Sequence, residues 1–380
     1  MFLALRSLGF QRGRFVLIGL VISLLALLTV MLSGLSTGLV NDGVSGLKRL
    51  PATAFAFAAG TKTDNAFMRS VVDDSQRATW AAQPGISDAE LFGVSIVNTH
   101  TAGGAALDVT LFGVGPASFL APEIGSGAKL GPTDGIVLSA TARDRGVALG
   151  DVITLDRVGT QLRVIGFTTG QDTFGHVDVG YVPLATWQYL STGRSAAGAP
   201  TTADVANAAH DTASAIALRA RPGAGWDATR GDAAAGTTTR SLTDSFGASP
   251  GYTAETTTIT LIQAFLYVIV ALVIGAFFTV WTVQRSHELA VLRAVGASSG
   301  FLLRDSLIQA AALLLTFTGV GVGAGLFLAA IMPSAVPFAI EASPVAAASA
   351  VMVTLGLAGA ALAVIRIVRI DPLTALGGQR

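Results

Sequence analysis

Hydrophobic positions along the chain fall into two regimes. In the first, apolar residues run without a charge through Phe15–Val40, Thr256–Gln284, Ser306–Ile340 and Ala342–Ile365. An ionisable side chain at the bilayer centre costs at least about 2.5–3.5 kcal/mol, so charge-free runs of this length mark membrane spans. Each reaches the roughly 20 residues that a helix rising about 1.5 Å per residue needs to cross about 30 Å of hydrocarbon. The third run is too long for one span, and Pro333 and Pro337 are expected to end its helix near Ile331.

In the second regime, residues 41–255, apolar and polar positions alternate with period two in a background rich in Thr, Ala, Gly and Asp. That is the pattern of a water-exposed α+β domain. Its clearest strands are Gly135–Leu138, Asp151–Leu155, Gln161–Phe167 and Val177–Val182. Between the first two, Ser139 to Gly146 reads as a short helix opened by a Ser cap and closed by Gly, and Gly150-Asp151 as a turn. Segments 191–200 and 231–250 are expected to be loops.

The fold class is therefore a membrane protein with four transmembrane α-helices and a large extracytoplasmic α+β domain between the first and second. The expected segments are 1–14, an amphipathic cytoplasmic stretch carrying Phe2, Leu3, Leu5, Leu8 and Phe10, and 15–40, the first span. They continue with 41–255, the outer domain; 256–284, the second span; and 285–305, a cytoplasmic loop. The last are 306–332, the third span; 333–344, an external loop; 345–365, the fourth span; and 366–380, a cytoplasmic tail.

Charge sets the orientation. Arg6, Arg12, Arg14, Arg285, Arg293, Arg304, Arg366, Arg369 and Arg380 face only Glu288, Asp305 and Asp371 on one side, which the positive-inside rule makes cytoplasmic. A cleaved signal peptide is the rival reading of the first run and leaves the rest of the topology unchanged. The apolar stretch exceeds a normal signal core, which favours a retained span.

Composition narrows the function. The chain is 51% apolar and only 13% charged, against about a quarter in ordinary soluble domains. Its 24 basic residues balance 24 acidic ones, so no basic footprint for nucleic acid exists. Cysteine is absent, which removes disulfides, thiolate metal sites and cysteine nucleophiles. The pattern Gly-x-Ser-x-Gly occurs at 34–38, 247–251 and 296–300, in no case directly after one of the expected strands as a nucleophile elbow requires, and no enzymatic site is expected. Asp172, His176 and Asp178 come nearest to a zinc-ligand spacing, but a turn role suits them better because Gly175 argues against a defined helix or hairpin there.

The cytoplasmic loop carries its own amphipathic helix. After Ser286, residues Leu289, Leu292 and Val295 recur at helical spacing, Val291 lies beside them, and Gly296 stops the run. Such a helix suits either insertion into a groove on a cytoplasmic protein or rest on lipid headgroups. Residues 285–298, Arg-Ser-His-Glu-Leu-Ala-Val-Leu-Arg-Ala-Val-Gly-Ala-Ser, resemble the loop signature of the FtsX/MacB-type ABC permeases. The tail from Arg369-Ile370-Asp371-Pro372 to Ala375-Leu376 is similar to that family's closing motif. In the outer domain Val137–Ala140, Leu149–Leu155, Val164–Phe167 and Tyr181–Trp187 resemble its periplasmic core.

The resemblance implies a homodimeric permease, pairing with a second copy of itself in the lipid bilayer above a cytoplasmic ABC ATPase dimer that binds ATP and Mg. It implies that Glu288, Leu289, Leu292, Arg293 and Gly296 form the ATPase-coupling helix. The chain itself offers only Lys48, Lys62 and Lys129 for a P-loop, none in the required Gly-x-x-x-x-Gly-Lys setting.

Gly170 to Val179 resembles the DevC/HrtB group of the family, which includes heme exporters, so an amphipathic cargo and specifically heme is the leading expectation. The alternative is FtsX-like signalling to an extracellular cell-wall hydrolase. For a heme path the sequence offers Met31, Glu255, Gln263 and Tyr267; iron accepts Met or Tyr, and Gln263 and Tyr267 share one helix face. Simple packing is the commoner role for Met31. Gly319, Gly321, Gly323 and Gly325, and Gly34 with Gly38, are expected to admit close helix contacts.

Overall fold

The computed structural model describes residues 12–193, 195–208, 210–284, 291, 295–333 and 336–368. Two compact units divide the chain: Val40–Glu255, and a unit made of the segments on either side of it.

The outer unit begins in the last turns of α1 (Arg12–Lys48) and continues through β1 (Ala54–Ala58), α2 (Ala66–Arg69), β2 (Val72–Asp73), α3 (Asp74–Ala81), β3 (Ile86–Val97) and β4 (Thr99–Thr101). Then come β5 (Val109–Val114), β6 (Ile124–Gly127), β7 (Gly135–Leu138), β8 (Val152–Leu155), β9 (Gln161–Thr168), β10 (Thr173–Phe174) and β11 (Val177–Pro183). It closes with α4 (Leu184–Ser191), α5 (Thr202–Asn207), β12 (Thr212–Ala213), β13 (Ala215–Ala220), α6 (Ala228–Ala235) and β14 (Thr237–Ser241).

One long sheet runs β14-β1-β13-β3-β5-β11-β7-β9-β8-β4, with β10 added to β11 and β6 to β9. The β5–β11 and β7–β9 pairs are parallel, and β1, β3 and β13 pair antiparallel. Period-two alternation gives the sheet two buried faces. Along β1, Ala54 and Ala56 enter a core with Trp80, Trp187 and Ala235, while Phe55 and Phe57 enter one with Val44, Leu47, Phe67 and Phe112. The second core is knit by edge-to-face rings, among them Phe55–Phe67 at 5.2 Å and Phe92–Phe112 at 4.9 Å. On the first face Trp187 lies against Gly93 and Gly113, where an added Cβ would stand 2.3 and 2.4 Å from its side chain. Its indole N–H donates to Ser95 Oγ at 3.0 Å.

Two local expectations change. The helix after β7 is a 3-10 helix, Ala140–Arg145, closed by Gly146 at φ 86° but without a side-chain cap from Ser139. Ser139 Oγ instead accepts from the Asp172 amide at 3.0 Å, so the hydroxyl serves the segment leading into β10. Segment 231–250 is not a loop: it holds the end of α6, β14 and a 3-10 helix, Asp244–Ala248. Its Thr-rich run pairs in register with β1, and Gly231 is small because Trp80 fills the space a Cβ would need, 2.1 Å away. In 191–200 the described residues past Ser191 are loop, as expected, and Gly198 bridges to Thr160.

The other unit contains the rest of α1 with α7 (Tyr252–Gln284), α8 (Ser299–Ala330) and α9 (Ala342–Val368), of which α7's first turn belongs to the outer unit. All four helices are long and apolar enough to cross a membrane. Helix α1 does not stop at residue 40: it runs through Asn41 and Asp42 to Lys48, broken at Val44 (φ −146°, ψ 16°), where Val44 and Leu47 plug the aromatic core. Ile22, Ala26, Val270, Ile274, Phe278, Ala310, Leu314, Met352 and Ala360 form the packed seam of the four-helix unit.

Of Gly319, Gly321, Gly323 and Gly325 on α8, only Gly321 and Gly325 face α1, where a Cβ would meet Ser23 O and Val30; Gly319 and Gly323 meet nothing within 4 Å. The two-residue offset puts the second pair on the opposite side of the helix. Gly34 and Gly38 admit not a helix but the loop before α9: Phe338 fills the space over Gly34, the Pro337 carbonyl that over Gly38, and the Ala339 amide donates to Gly34 O at 3.1 Å.

Candidate functional site

Glu288, Leu289, Leu292 and Arg293 of the expected coupling helix lie outside the described residues, as do the segment 1–11 and the tail motif from Arg369 to Leu376. Gly296 is described. It takes φ 105° in a turn after Val295, whose amide donates to the Val291 carbonyl at 3.1 Å. Val291 and Val295 are exposed, the latter 83%. Ser298 then caps α8, accepting from the Phe301 amide at 3.2 Å.

Within the helical unit Gln263 and Tyr267 are half-buried on the same side of α7 as the buried Ile259, Leu266 and Val270. One i, i+4 step places both polar groups beside the packed seam instead of on the fully exposed side that holds Phe265 and Val268. Met31 is half-buried on α1.

Glu255 belongs elsewhere. Its carboxylate lies 3.1 and 3.0 Å, by its two oxygens, from Nε2 of His176, whose Nδ1 is 2.9 Å from Asp42 Oδ2. The Gln171 side-chain amide donates to the other Asp42 oxygen at 3.2 Å. His176 reaches between the two acids because the tight turn joining β10 and β11 holds Gly175 and His176 both in the left-handed region, φ 60° and 64°. The Gly175 amide donates to the Gly43 carbonyl at 2.9 Å and fixes that turn against the end of α1. Burial is the largest single influence on the imidazole and favours its neutral form; the hydrogen bonds and charges of Asp42 and Glu255 together outweigh it and raise the pKa above the usual value.

The zinc spacing read along the chain does not converge. Asp178 accepts from Thr141 Oγ1 at 2.5 Å and faces Arg145, and Asp172 faces Arg49 at 3.2 Å. Burial raises the pKa of both carboxyls. The three side chains thus serve separate sets of partners. Sequence reasoning missed the role of Asp42 and the reach of His176 because the partners lie 134 and 79 residues away. A signal was present: Asp42 and Glu255 are the acids that bound the first two charge-free runs on their outer sides.

A second outer feature is a cavity of about 290 Å³ lined by Arg49, Phe119, Glu123, Asp172 and Tyr181, with Leu50 and Pro122 among its apolar walls.

Comparison with known proteins agrees with this architecture. A MacB-like periplasmic core domain matches residues 15–235, and an FtsX-like permease C-terminal matches residues 253–372. A putative hemin transport system permease protein HrtB of Staphylococcus epidermidis is 33% identical over 129 residues, which spans 33% of this chain and only 36% of that protein's length. The protein of that name from Staphylococcus haemolyticus is 25% identical over 379 residues, 99% of each chain. The periplasmic region of MacB from Actinobacillus actinomycetemcomitans superposes with a TM-score of 0.36 at 15% identity, covering 50% of this chain and 89% of that one. With the periplasmic-core match alone spanning more than half of the sequence, the chain belongs to the FtsX/MacB family of ABC transporter permeases, multi-pass proteins of the cell membrane with a large domain outside.

Proposed function

We propose that this chain is the permease subunit of an ABC exporter, in which a separate cytoplasmic ATPase drives extrusion of an amphipathic compound, with heme the leading cargo. The observation that carries the reading is the end-to-end relationship to a hemin transport system permease, 99% of both chains. The half-buried pair Gln263 and Tyr267 supports it, since polar side chains beside a packed membrane seam are costly unless a cavity, a partner or a ligand uses them. The ATPase would seat the segment around Glu288, Leu289, Leu292 and Arg293, with Gly296 ending the helix. A second copy of the chain would complete the permease. Met31, Gln263 and Tyr267 are the proposed cargo-facing residues within the bilayer, and Glu255 borders them at the outer end of α7.

The test is a heme titration of the protein purified with its ATPase. A saturable Soret shift, weakened in Met31→Ala or Tyr267→Phe, supports the reading. No shift, together with a stable complex with a peptidoglycan hydrolase, overturns export and favours signalling. For the coupling segment, Glu288→Ala and Leu292→Asp should each reduce ATPase co-purification; unchanged association with both would remove that part.

A further inference from the structure

We propose that Asp42, His176 and Glu255 form a proton-binding clamp that ties the last turns of α1 to the first turn of α7 and lets go as pH rises. An ionised carboxylate only accepts hydrogen bonds, whereas a neutral imidazole has one N–H and one lone pair. Both ring nitrogens of His176 nevertheless lie 2.9 to 3.1 Å from carboxylate oxygens, Nδ1 from Asp42 and Nε2 from Glu255. Both contacts can be hydrogen bonds only when the cluster holds one proton beyond a neutral imidazole and two carboxylates. With that proton its net charge is −1; without it, −2, and one acid faces a nitrogen lone pair.

The surroundings fit a site that works through this proton. His176 is partly buried, with its side chain 30% exposed, and Asp42 and Glu255 are similar at 28% and 35%, so water can deliver and remove the proton while the contacts stay partly shielded. The backbone commits to the arrangement, since a left-handed conformation at a non-glycine residue is uncommon and costly. At the start of α7 the Tyr252 ring lies on the same side of Gly43 as the imidazole. On α1, Lys48 donates to Asn41 Oδ1 at 2.6 Å; ahead of β10, Gln171 donates to Asp42; on β11, Asp178 is turned to Thr141 and Arg145. Burial and the two acids act on the ring in opposite directions and leave its pKa raised, which places release on the alkaline side of an ordinary histidine. Loss of the proton breaks one of the two links, and the start of α7 and the end of α1 are then no longer held through one side chain.

The clamp stands on the geometry of the outer unit alone and does not depend on the cargo. Amide hydrogen exchange of the full chain in detergent, without heme or ATPase, tests it. After correction for intrinsic exchange, peptides covering 41–48 and 252–258 should lose protection several-fold between pH 6 and pH 8.5. In His176→Gln, which can donate to one acid only, protection should be low and flat with pH. Glu255→Gln, which replaces one acceptor with an uncharged amide, should shift the transition to lower pH. Wild-type protection that is flat with pH, or a pH transition retained unchanged in His176→Gln, overturns the clamp. A failed heme titration would leave these outcomes untouched, so the two proposals fall separately.

Discussion

A Cβ placed on Gly321 would stand 2.3 Å from the carbonyl oxygen of Ser23, so α8 meets the backbone of α1 directly at this point. The hydroxyl of Ser23 reinforces the crossing by donating to the Phe317 carbonyl at 2.9 Å, and one turn further on Gly325 meets Val30. A backbone atom cannot rotate away as a side chain can. Gly321→Leu should therefore destabilise the helical unit by about 1–3 kcal/mol or more, the usual cost of overpacking. Gly323→Ala, whose added Cβ meets nothing within 4 Å, should melt as the wild type does. Thermal unfolding of both variants in detergent checks the contrast; equal losses would show that the α1–α8 crossing is not the one described.

In the outer unit the corresponding contact is Trp187 on Gly93 and Gly113. Trp187→Ala removes a large buried side chain and strands Ser95, which accepts the indole N–H at 3.0 Å, so a loss of about 3–5 kcal/mol is expected. Val71→Ala, at a residue 64% exposed, should stay within about 0.5 kcal/mol. Denaturant melts followed by tryptophan fluorescence suit the Val71 variant, and far-ultraviolet circular dichroism the Trp187 variant.

Asp172 is 2% exposed, and Arg49 Nε is 3.2 Å from its Oδ1 without the alignment of a hydrogen bond. Burial raises the carboxyl pKa against the opposing pull of Thr168 and Arg49. A carboxyl whose folded pKa lies above the unfolded one binds its proton more readily in the native state. Its ionised form is thus a native-state penalty at neutral pH, and stability from this group grows as pH falls through the folded value. Asp172→Asn should leave the melting temperature at pH 7.5 unchanged or higher and remove that gain on acidification. Arg49→Gln should lower stability at pH 7.5 by about 1–3 kcal/mol, because it leaves a buried charge less compensated. Melting curves from pH 4.5 to 8 separate the two.

The large divisions were legible because they are written in periodicity. Charge-free runs longer than a bilayer and a period-two stretch between the first and second cannot be exchanged for one another; 135–138 stands out as a short Ile-Val-Leu run, and 161–167 through the alternation of Gln161 and Arg163 with Leu162 and Val164. What escaped depends on tertiary partners. Thr237–Ser241 is too polar to announce itself as a strand, and only pairing with Ala54–Ala58 makes it one. Gly319, Gly321, Gly323 and Gly325 look equivalent along the chain, yet helical phase puts two against α1 and turns two away. For the site, Gln263 and Tyr267 could be placed on one face from spacing alone. The junction of Asp42, His176 and Glu255 could not, since its members come from two helices and a turn far apart in sequence.

Gly296 offers the sharpest local test of the loop beneath the membrane. Its φ of 105° lies where a Cβ is strained whatever space surrounds it, and no atom outside its own neighbours lies within 4 Å of the Cβ position. Gly296→Ala therefore adds strain of about 1–2 kcal/mol without any steric clash, so its effect is confined to the turn between Val295 and Ser298. Ser298→Ala removes the cap on the Phe301 amide, at about 1 kcal/mol, from the other end of the same turn. If that turn sets the angle at which the preceding segment meets an ATPase, Gly296→Ala should lower stimulated ATP hydrolysis several-fold while the melting of the outer unit stays unchanged. Gly300→Ala, at a helical glycine with equally open space and ordinary φ, is the control and should keep full activity. Equal hydrolysis by Gly296→Ala and wild type, measured with the reconstituted complex, would mean that the turn carries no work.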